Sequence, residues 1–320
     1  MLNNKFKEAE IKKVLVIRLS SIGDIVITSP VVRWLKLQKA WEIHFLTKQA
    51  FAGITAHNKY IDRQHFLETT SLLDELKAEN FDLVIDLHKS MVSRKLAFQL
   101  KKPVIGFDKL NIKKWLLVNF KINMLPKIHL VDRYLASLKA LDIEDDGLGL
   151  DYFIDPSASL DAFTLPEKYN VLVLGAAHAT KRIPVDVARK IILRSMHPVI
   201  LIGGKDVIPE AEILSSTDQA FNLAGQLSLA QSALVVQGGE EIYSGDTGMM
   251  HIAAALKKKI HVFWGNTTPA FGMYAYYGFK NPVASINHEV MLSCRPCSKL
   301  GHKSCPKGHF KCMMDQAIEI

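Results

Sequence analysis

No apolar run in the 320 residues approaches the roughly 20 needed for a membrane-crossing helix, so an integral helical membrane protein is excluded. The opening residues, Met1 to Lys13, are polar and charged and lack the apolar core of a secretory signal, which makes the cytoplasm the expected compartment. Cysteine is scarce: four residues, all between Cys294 and Cys312, form a local feature and not a chain-wide disulfide framework. Acidic residues are short against basic ones, 32 Asp+Glu to 40 Lys+Arg, giving a net charge of +8 and a pI near 9.1. That excess suits nucleotides, phosphorylated sugars or an acidic membrane surface, and it also serves solubility. A dinucleotide fingerprint is missing as well. The first strand is followed by Leu-Ser-Ser-Ile-Gly-Asp in place of Gly-x-Gly-x-x-Gly, and the second ends at Thr47 without an acidic residue. Both departures argue against a nicotinamide-dependent oxidoreductase.

What is present is a repeated strand, turn and helix pattern. Val14 to Leu19 is short, apolar and β-branched, the pattern of a buried parallel strand. A Ser/Gly turn from Ser20 to Asp24 and an amphipathic helix follow it. In open α/β sheets ligands bind outside the carboxyl ends of the strands, which makes Ser20, Ser21, Gly23 and Asp24 candidate site residues. Asp24 reads either as a helix cap or as a general base. Glu42–Thr47, Asn80–His88 and Pro103–Phe107 read as further strands, with a helix over Leu72–Glu79 between the first two. Lys89 and Arg94, after the strand ending near Leu87, are candidate contacts to a phosphorylated ligand, or else lie on a solvated helix face. Lys109 to Lys121 interleaves lysines with Trp115, Leu116, Leu117, Val118 and Phe120; packing against the sheet is the favoured reading over contact with a lipid surface.

With 320 residues and alternating strands and helices, two α/β domains of about 150 residues each are expected. The boundary is placed at 155/156, after the acidic, Gly-containing connection from Asp142. The second half restarts the pattern with Tyr169 to Pro184. Small residues Gly175, Ala176 and Ala177 permit close backbone approach to a ligand, and Thr180, Lys181 and Arg182 offer a hydroxyl and two cations to a diphosphate. Asp246, Thr247, Gly248 and His251 open another helix, at a third strand exit bearing polar groups. Cys294-x2-Cys297-x7-Cys305-x6-Cys312, with His302 and His309 within it, is open to a structural zinc site, disulfides or reduced thiols. An even spread of charge argues against nucleic acid as a partner.

Taken together, Arg18-Leu-Ser-Ser-Ile-Gly-Asp24, Thr180-Lys-Arg-Ile-Pro184, Asn222-Leu-Ala-Gly225 and Asp246-Thr-Gly-Met-Met-His251 make the chain resemble the lipopolysaccharide heptosyltransferases of glycosyltransferase family 9. The resemblance covers nearly the whole chain. It implies an α/β GT-B architecture, two Rossmann-like domains with parallel sheets facing a central cleft, with the acceptor on the first domain and the nucleotide-sugar on the second. It also implies inverting transfer from ADP-heptose to a lipopolysaccharide inner-core acceptor, without a metal ion or other cofactor, by an enzyme at most peripheral on the inner membrane. Asp24 matches the catalytic base, Lys181 the phosphate-binding lysine, and Asp246, Thr247, Gly248 and His251 the donor loop. Two departures touch the donor side: His178 stands where many members have an aromatic, and Trp264-Gly-Asn-Thr-Thr replaces Phe-Gly-Pro-Thr. Another nucleotide-activated sugar, or a sugar-nucleotide-binding protein without catalysis, are the alternatives.

Overall fold

The computed structural model describes residues 11–318 and resolves the chain into two compact units. Most of the polar opening stretch, Met1 to Glu10, lies outside the described residues. The first unit runs to Lys109 and takes in Ile128–Asp155 and Gly278–Lys280; the second holds Leu110–Lys127, Pro156–Tyr277 and Asn281 onward.

In the first unit the chain forms β1 (Lys13–Ile17), α1 (Ile22–Ile27), α2 (Ser29–Lys39), β2 (Glu42–Thr47), α3 (Ala52–Thr55), β3 (Arg63–Phe66), α4 (Leu72–Ala78), β4 (Leu83–Asp86), α5 (Met91–Gln99) and β5 (Val104–Gly106). After α6 (Asn111–Phe120), which belongs to the second unit, α7 (Leu130–Leu138) returns to the first. The strands pair in parallel in the order β3-β2-β1-β4-β5. Central strands buried on both faces need apolar residues throughout, and Val14, Leu15, Val16 and Ile17 are fully buried. The buried Arg33 on α2 donates to Asp146 (2.6 and 2.8 Å), to the Gly149 carbonyl (2.8 Å) and to Asp151, fastening the helix to the segment that leaves the unit.

The second unit contributes β6 (Asn170–Val173), α8 (Val185–Arg194), β7 (Val199–Ile202), α9 (Ile208–Leu214), β8 (Ala220–Asn222), α10 (Leu229–Gly238), β9 (Glu241–Gly245), α11 (Gly248–Ala255), β10 (Lys259–Trp264), β11 (Ser285–Glu289) and α12 (Lys311–Met314). Its parallel order is β11-β10-β9-β6-β7-β8, the doubly wound arrangement in which the chain reverses direction across the sheet between β6 and β9. In the first sheet the corresponding reversal lies between β1 and β4. Ser228 caps α10, its Oγ accepting from Gln231 N at 3.2 Å, as its place before an apolar run predicts.

Edge strands β3 and β11, Arg-Gln-His-Phe and Ser-Ile-Asn-His-Glu, carry no apolar run and are not apparent from hydrophobicity alone. Each bears a histidine that meets one on the neighbouring strand. His44 and His65 stand 2.8 Å apart, and His261 and His288 stand 3.0 Å apart. Burial is the main reason that the His261 pKa is pulled down to about 4, against a weaker upward pull from Glu241. His261 is therefore neutral in the fold and takes up a proton more readily unfolded. Stability from this group is complete above the unfolded value near 6.5 and is lost as pH falls toward 4. Between pH 7 and 5 the loss is expected to reach about 2 kcal/mol. Denaturant unfolding at the two pH values, with His261→Gln flattening the difference, checks it.

Candidate active site

Both sheets carry their functional candidates at the carboxyl ends of the strands that flank the reversal in strand order. At the end of β1, Arg18 is 7% exposed and donates to the carbonyls of Ser20 (2.9 Å) and Leu87 (2.5 Å). So held, its guanidinium ion-pairs with Asp24. The expected turn is shorter than the sequence suggests: α1 already begins at Ile22, with Ser21 as its N-cap and Asp24 in its first turn. Ser21 donates to Asp24 through its backbone N–H (3.2 Å) and its Oγ–H (2.9 Å). Asp24 therefore completes the capping box of α1 while its side chain stays 22% accessible. Burial raises the Asp24 pKa, but the Arg18 guanidinium and the two Ser21 hydrogen bonds outweigh it and hold the group below the ordinary carboxylate range. Ser20 is half-buried beside it and Gly23 is buried within α1.

At the end of β4 the buried Asp86 collects the backbone N–H groups of His88 (3.0 Å) and Lys89 (2.7 Å) and the Ser93 hydroxyl (2.9 Å). This folds the exit back over the strand. Lys89 directs its ammonium to the Phe107 carbonyl (2.7 Å), and Arg94 is exposed on α5. His88 is a residue whose role the sequence does not announce. Its Nδ1 is buried without a hydrogen-bond partner, and burial, then the Arg18 and Lys109 cations, pull its pKa to about 4, leaving a neutral imidazole within the field of Asp24.

In the second unit Lys181 and Asp246 are brought together from the exits of β6 and β9. Their charged atoms lie 2.7 Å apart, and the Thr267 hydroxyl, from the exit of β10, donates to the same Asp246 oxygen at 2.8 Å. Two glycines make this convergence possible. A Cβ at Gly245 would fall 2.1 Å from the Lys181 carbonyl oxygen, and one at Gly265 would fall 2.4 Å from that of Thr180. Thr247 caps α11, accepting from Met250 N at 3.4 Å, and Gly248 is the first residue of that helix. The N-terminal end of that helix, with its dipole, favours an anion at this exit. His251 is buried one turn in.

The other two members of the Thr180–Arg182 run are occupied. Thr180 is buried and exchanges hydrogen bonds with the backbone of His302 (3.1 and 2.8 Å), while Arg182 is ion-paired to Asp206. Lys181 is thus the member of the run whose charge meets the β9 exit. Asn266, one of the departures seen in the sequence, is 2% exposed, and neither side-chain amide atom has a hydrogen-bond partner. Such a buried, unsatisfied amide is costly unless a ligand or water completes it.

All four cysteines are free thiols. Cys297 Sγ donates to the Cys294 carbonyl at 3.0 Å, Cys294 Sγ lies 3.9 Å from His309 Nε2, and burial drives the Cys312 pKa up to about 11. Among the described residues, the set of potential metal ligands drawn within 4.8 Å of one another is elsewhere, at His44, His65 and Glu79. There Glu79 is already paired with Lys13 (2.9 Å) and Arg63.

This geometry was compared with known proteins. A family model, glycosyltransferase family 9 (heptosyltransferase), matches residues 69–310. The chain belongs to that family. As a family 9 glycosyltransferase it is 24% identical over 292 residues to lipopolysaccharide heptosyltransferase 1 of Campylobacter coli, covering 81% of this chain and 85% of that one. To lipopolysaccharide heptosyltransferase 1 of Pseudomonas aeruginosa it is 25% identical, covering 90% and 86%. Among solved structures, the E. coli heptosyltransferase WaaC with ADP aligns with a TM-score of 0.67 at 22% identity, covering 86% of this chain and 93% of that one. E. coli ADP-heptose lipopolysaccharide heptosyltransferase II aligns with a TM-score of 0.65 at 19% identity, covering 95% and 98%. The α/β fold with two parallel sheets matches these GT-B structures. The family match begins beyond Asp24, whereas the site residues of the second unit fall inside it.

Proposed function

We propose that this glycosyltransferase moves a heptose from ADP-heptose to a lipopolysaccharide inner-core acceptor with inversion at the anomeric carbon, working peripherally on the cytoplasmic face of the inner membrane. The observation that carries the reading is the division of chemistry between the two sheets: a carboxylate kept ionised at the β1 exit, and a lysine with a helix N-terminus at the β6 and β9 exits. Asp24 accepts the proton of the acceptor hydroxyl as that oxygen forms its bond to the anomeric carbon. The bond from that carbon to the diphosphate oxygen breaks in the same displacement, and ADP leaves with its electron pair. Lys181 and the α11 N-terminus stabilise the charge that develops on the leaving diphosphate, a task that needs no divalent ion. Asp246, free to release Lys181 when the diphosphate arrives, and Thr247 hold the donor, and the Asn266 amide completes its hydrogen bonds there. Ser20, Ser21, Gly23, Lys89 and Arg94 are assigned to the acceptor side. The division into residues 1–155 for the acceptor and 156–320 for the donor belongs to the same proposal.

Among nucleotide binders the reading predicts selectivity for adenine diphosphates. In a thermal-shift series, ADP at about 100 times its Kd should stabilise the protein by roughly 2.7 kcal/mol, with UDP, GDP and NAD giving little. Stabilisation by UDP or GDP without ADP would transfer the assignment to another nucleotide-sugar. NAD alone would end the sugar-donor reading.

A further inference from the structure

Two stretches of the second unit are free of acidic side chains. Residues 110–127 carry Lys113, Lys114, Lys121 and Lys127, and residues 290–314 carry Arg295, Lys299, Lys303, Lys307 and Lys311, without one Asp or Glu in either. Of these nine cations Lys114 is buried and Arg295 is ion-paired with Glu289 (2.9 Å), which leaves seven lysines, so the positive charge of the chain is gathered here and not spread evenly. The fold ties them to each other: Lys121 Nζ donates to the carbonyls of Pro296 (2.7 Å) and Cys294 (3.1 Å), and Lys299 Nζ donates to the Asn111 side chain (2.8 Å).

Set among these cations is an apolar surface that the sequence alone suggests is packed. Helix α6 buries Leu117 and Lys114, but it leaves Ile112 76%, Trp115 55% and Phe120 58% exposed, and Ile122 and Met124 follow in the same state. Trp115 and Phe120 lie against each other, ring centroids 5.2 Å apart. Scattered apolar side chains on a surface need no explanation; five exposed ones within thirteen residues, two of them in ring contact and interspersed with lysines but no acid, do.

We infer that this face, α6 with the segment after it and the cysteine-containing loop, is a docking surface for an anionic lipid bilayer. The chemistry selects that occupant. Tryptophan concentrates at the boundary between headgroups and acyl chains, aliphatic side chains gain by leaving water there, and each lysine near an anionic leaflet adds about 1 kcal/mol. A nucleic acid would match the charge but give Ile112, Ile122 and Met124 nothing to pack against. For its purpose the inference rests on the lipid-linked acceptor proposed above; its physics is independent of that reading.

The test uses the full chain and its own fluorescence. Trp34, Trp41 and Trp264 are buried, so Trp115 is the tryptophan that reports a change at the surface. With vesicles of phosphatidylethanolamine and phosphatidylglycerol, the emission should shift to the blue and the protein should sediment with the lipid. Phosphatidylcholine vesicles should do neither, and raised salt should weaken both effects. Ile112→Ser with Phe120→Ser, which leaves the reporter in place, should weaken vesicle binding ~10-fold or more with an unchanged melting temperature. Lys113→Glu with Lys127→Glu should weaken it ~10-fold through charge alone. Absence of vesicle binding at low salt, or binding that ignores both pairs of substitutions, overturns the inference. So does tight binding to an RNA or DNA oligonucleotide through these residues in preference to lipid, or a dimer that the Ile112 and Phe120 changes dissolve. Vesicle binding without heptose transfer would uphold the surface and remove the functional reading; transfer to a soluble acceptor without vesicle binding would do the reverse.

Discussion

Replacing Asp24 by Asn is expected to lower the rate of sugar transfer by roughly 10²- to 10⁴-fold while leaving ADP affinity within about threefold, the signature of a lost general base. The substitution keeps the shape and the cap to Ser21 but removes the charge that Arg18 faces. Arg18 stays anchored by the carbonyls of Ser20 and Leu87, so the local fold has reason to survive. Its ion pair also has a kinetic consequence. Because Arg18 and Ser21 hold the Asp24 carboxyl below its ordinary range, the acid limb of the pH–rate profile should lie below that range as well. In Arg18→Gln the burial of Asp24 remains while the main opposing influence is gone, so the limb should move to higher pH. A weak base is adequate here, because the attacking hydroxyl becomes acidic only as its bond to carbon forms. Parallel loss of ADP binding and melting temperature in Asp24→Asn would instead make the residue structural.

Lys181→Ala should cost about 10²- to 10³-fold in kcat/KM and weaken ADP binding ~10-fold or more, since one charged donor to the diphosphate is removed. Part of that effect arises from Asp246, whose carboxylate loses its 2.7 Å partner and repels the incoming phosphates. A double-mutant cycle separates the two contributions. If Lys181 only neutralises Asp246, the Lys181→Ala, Asp246→Ala double variant recovers ADP affinity. If Lys181 also grips the diphosphate, the double variant recovers only the share due to Asp246 and stays weaker than the unsubstituted protein. Isothermal titration of the four proteins with ADP decides between them.

The parts of this protein visible from its sequence are those with local causes. Buried parallel strands must be apolar along their length, which is why β1, β2, β6 and β7 and the exits after them are readable. The half-exposed edge strands β3 and β11 obey no such demand and are not. Pairing across long separations is equally hidden. Arg18 reaches a carbonyl 69 residues on, and Thr180 is committed to His302, 122 residues away, so the Thr180–Arg182 run looks like three ligand-binding groups when Lys181 is the one facing Asp246. Asn266 shows in the sequence only as a departure from the family pattern; its burial and unmet amide give that departure a chemical meaning. The lysines and apolar residues interleaved over 109–121 favour packing against the sheet, whereas the helix they form leaves Ile112, Trp115 and Phe120 facing water, because composition does not say which side of a segment is covered.

The central claim is tested most directly by incubating the purified protein with ADP-heptose and a heptose-free lipopolysaccharide inner core and reading the acceptor by mass spectrometry and NMR. The account predicts addition of one heptose with the anomeric configuration opposite to that of the donor, release of ADP in equal amount, and loss of both products in Asp24→Asn. Transfer from another nucleotide-sugar but not from ADP-heptose, retention of configuration, or undiminished transfer by Asp24→Asn would contradict it.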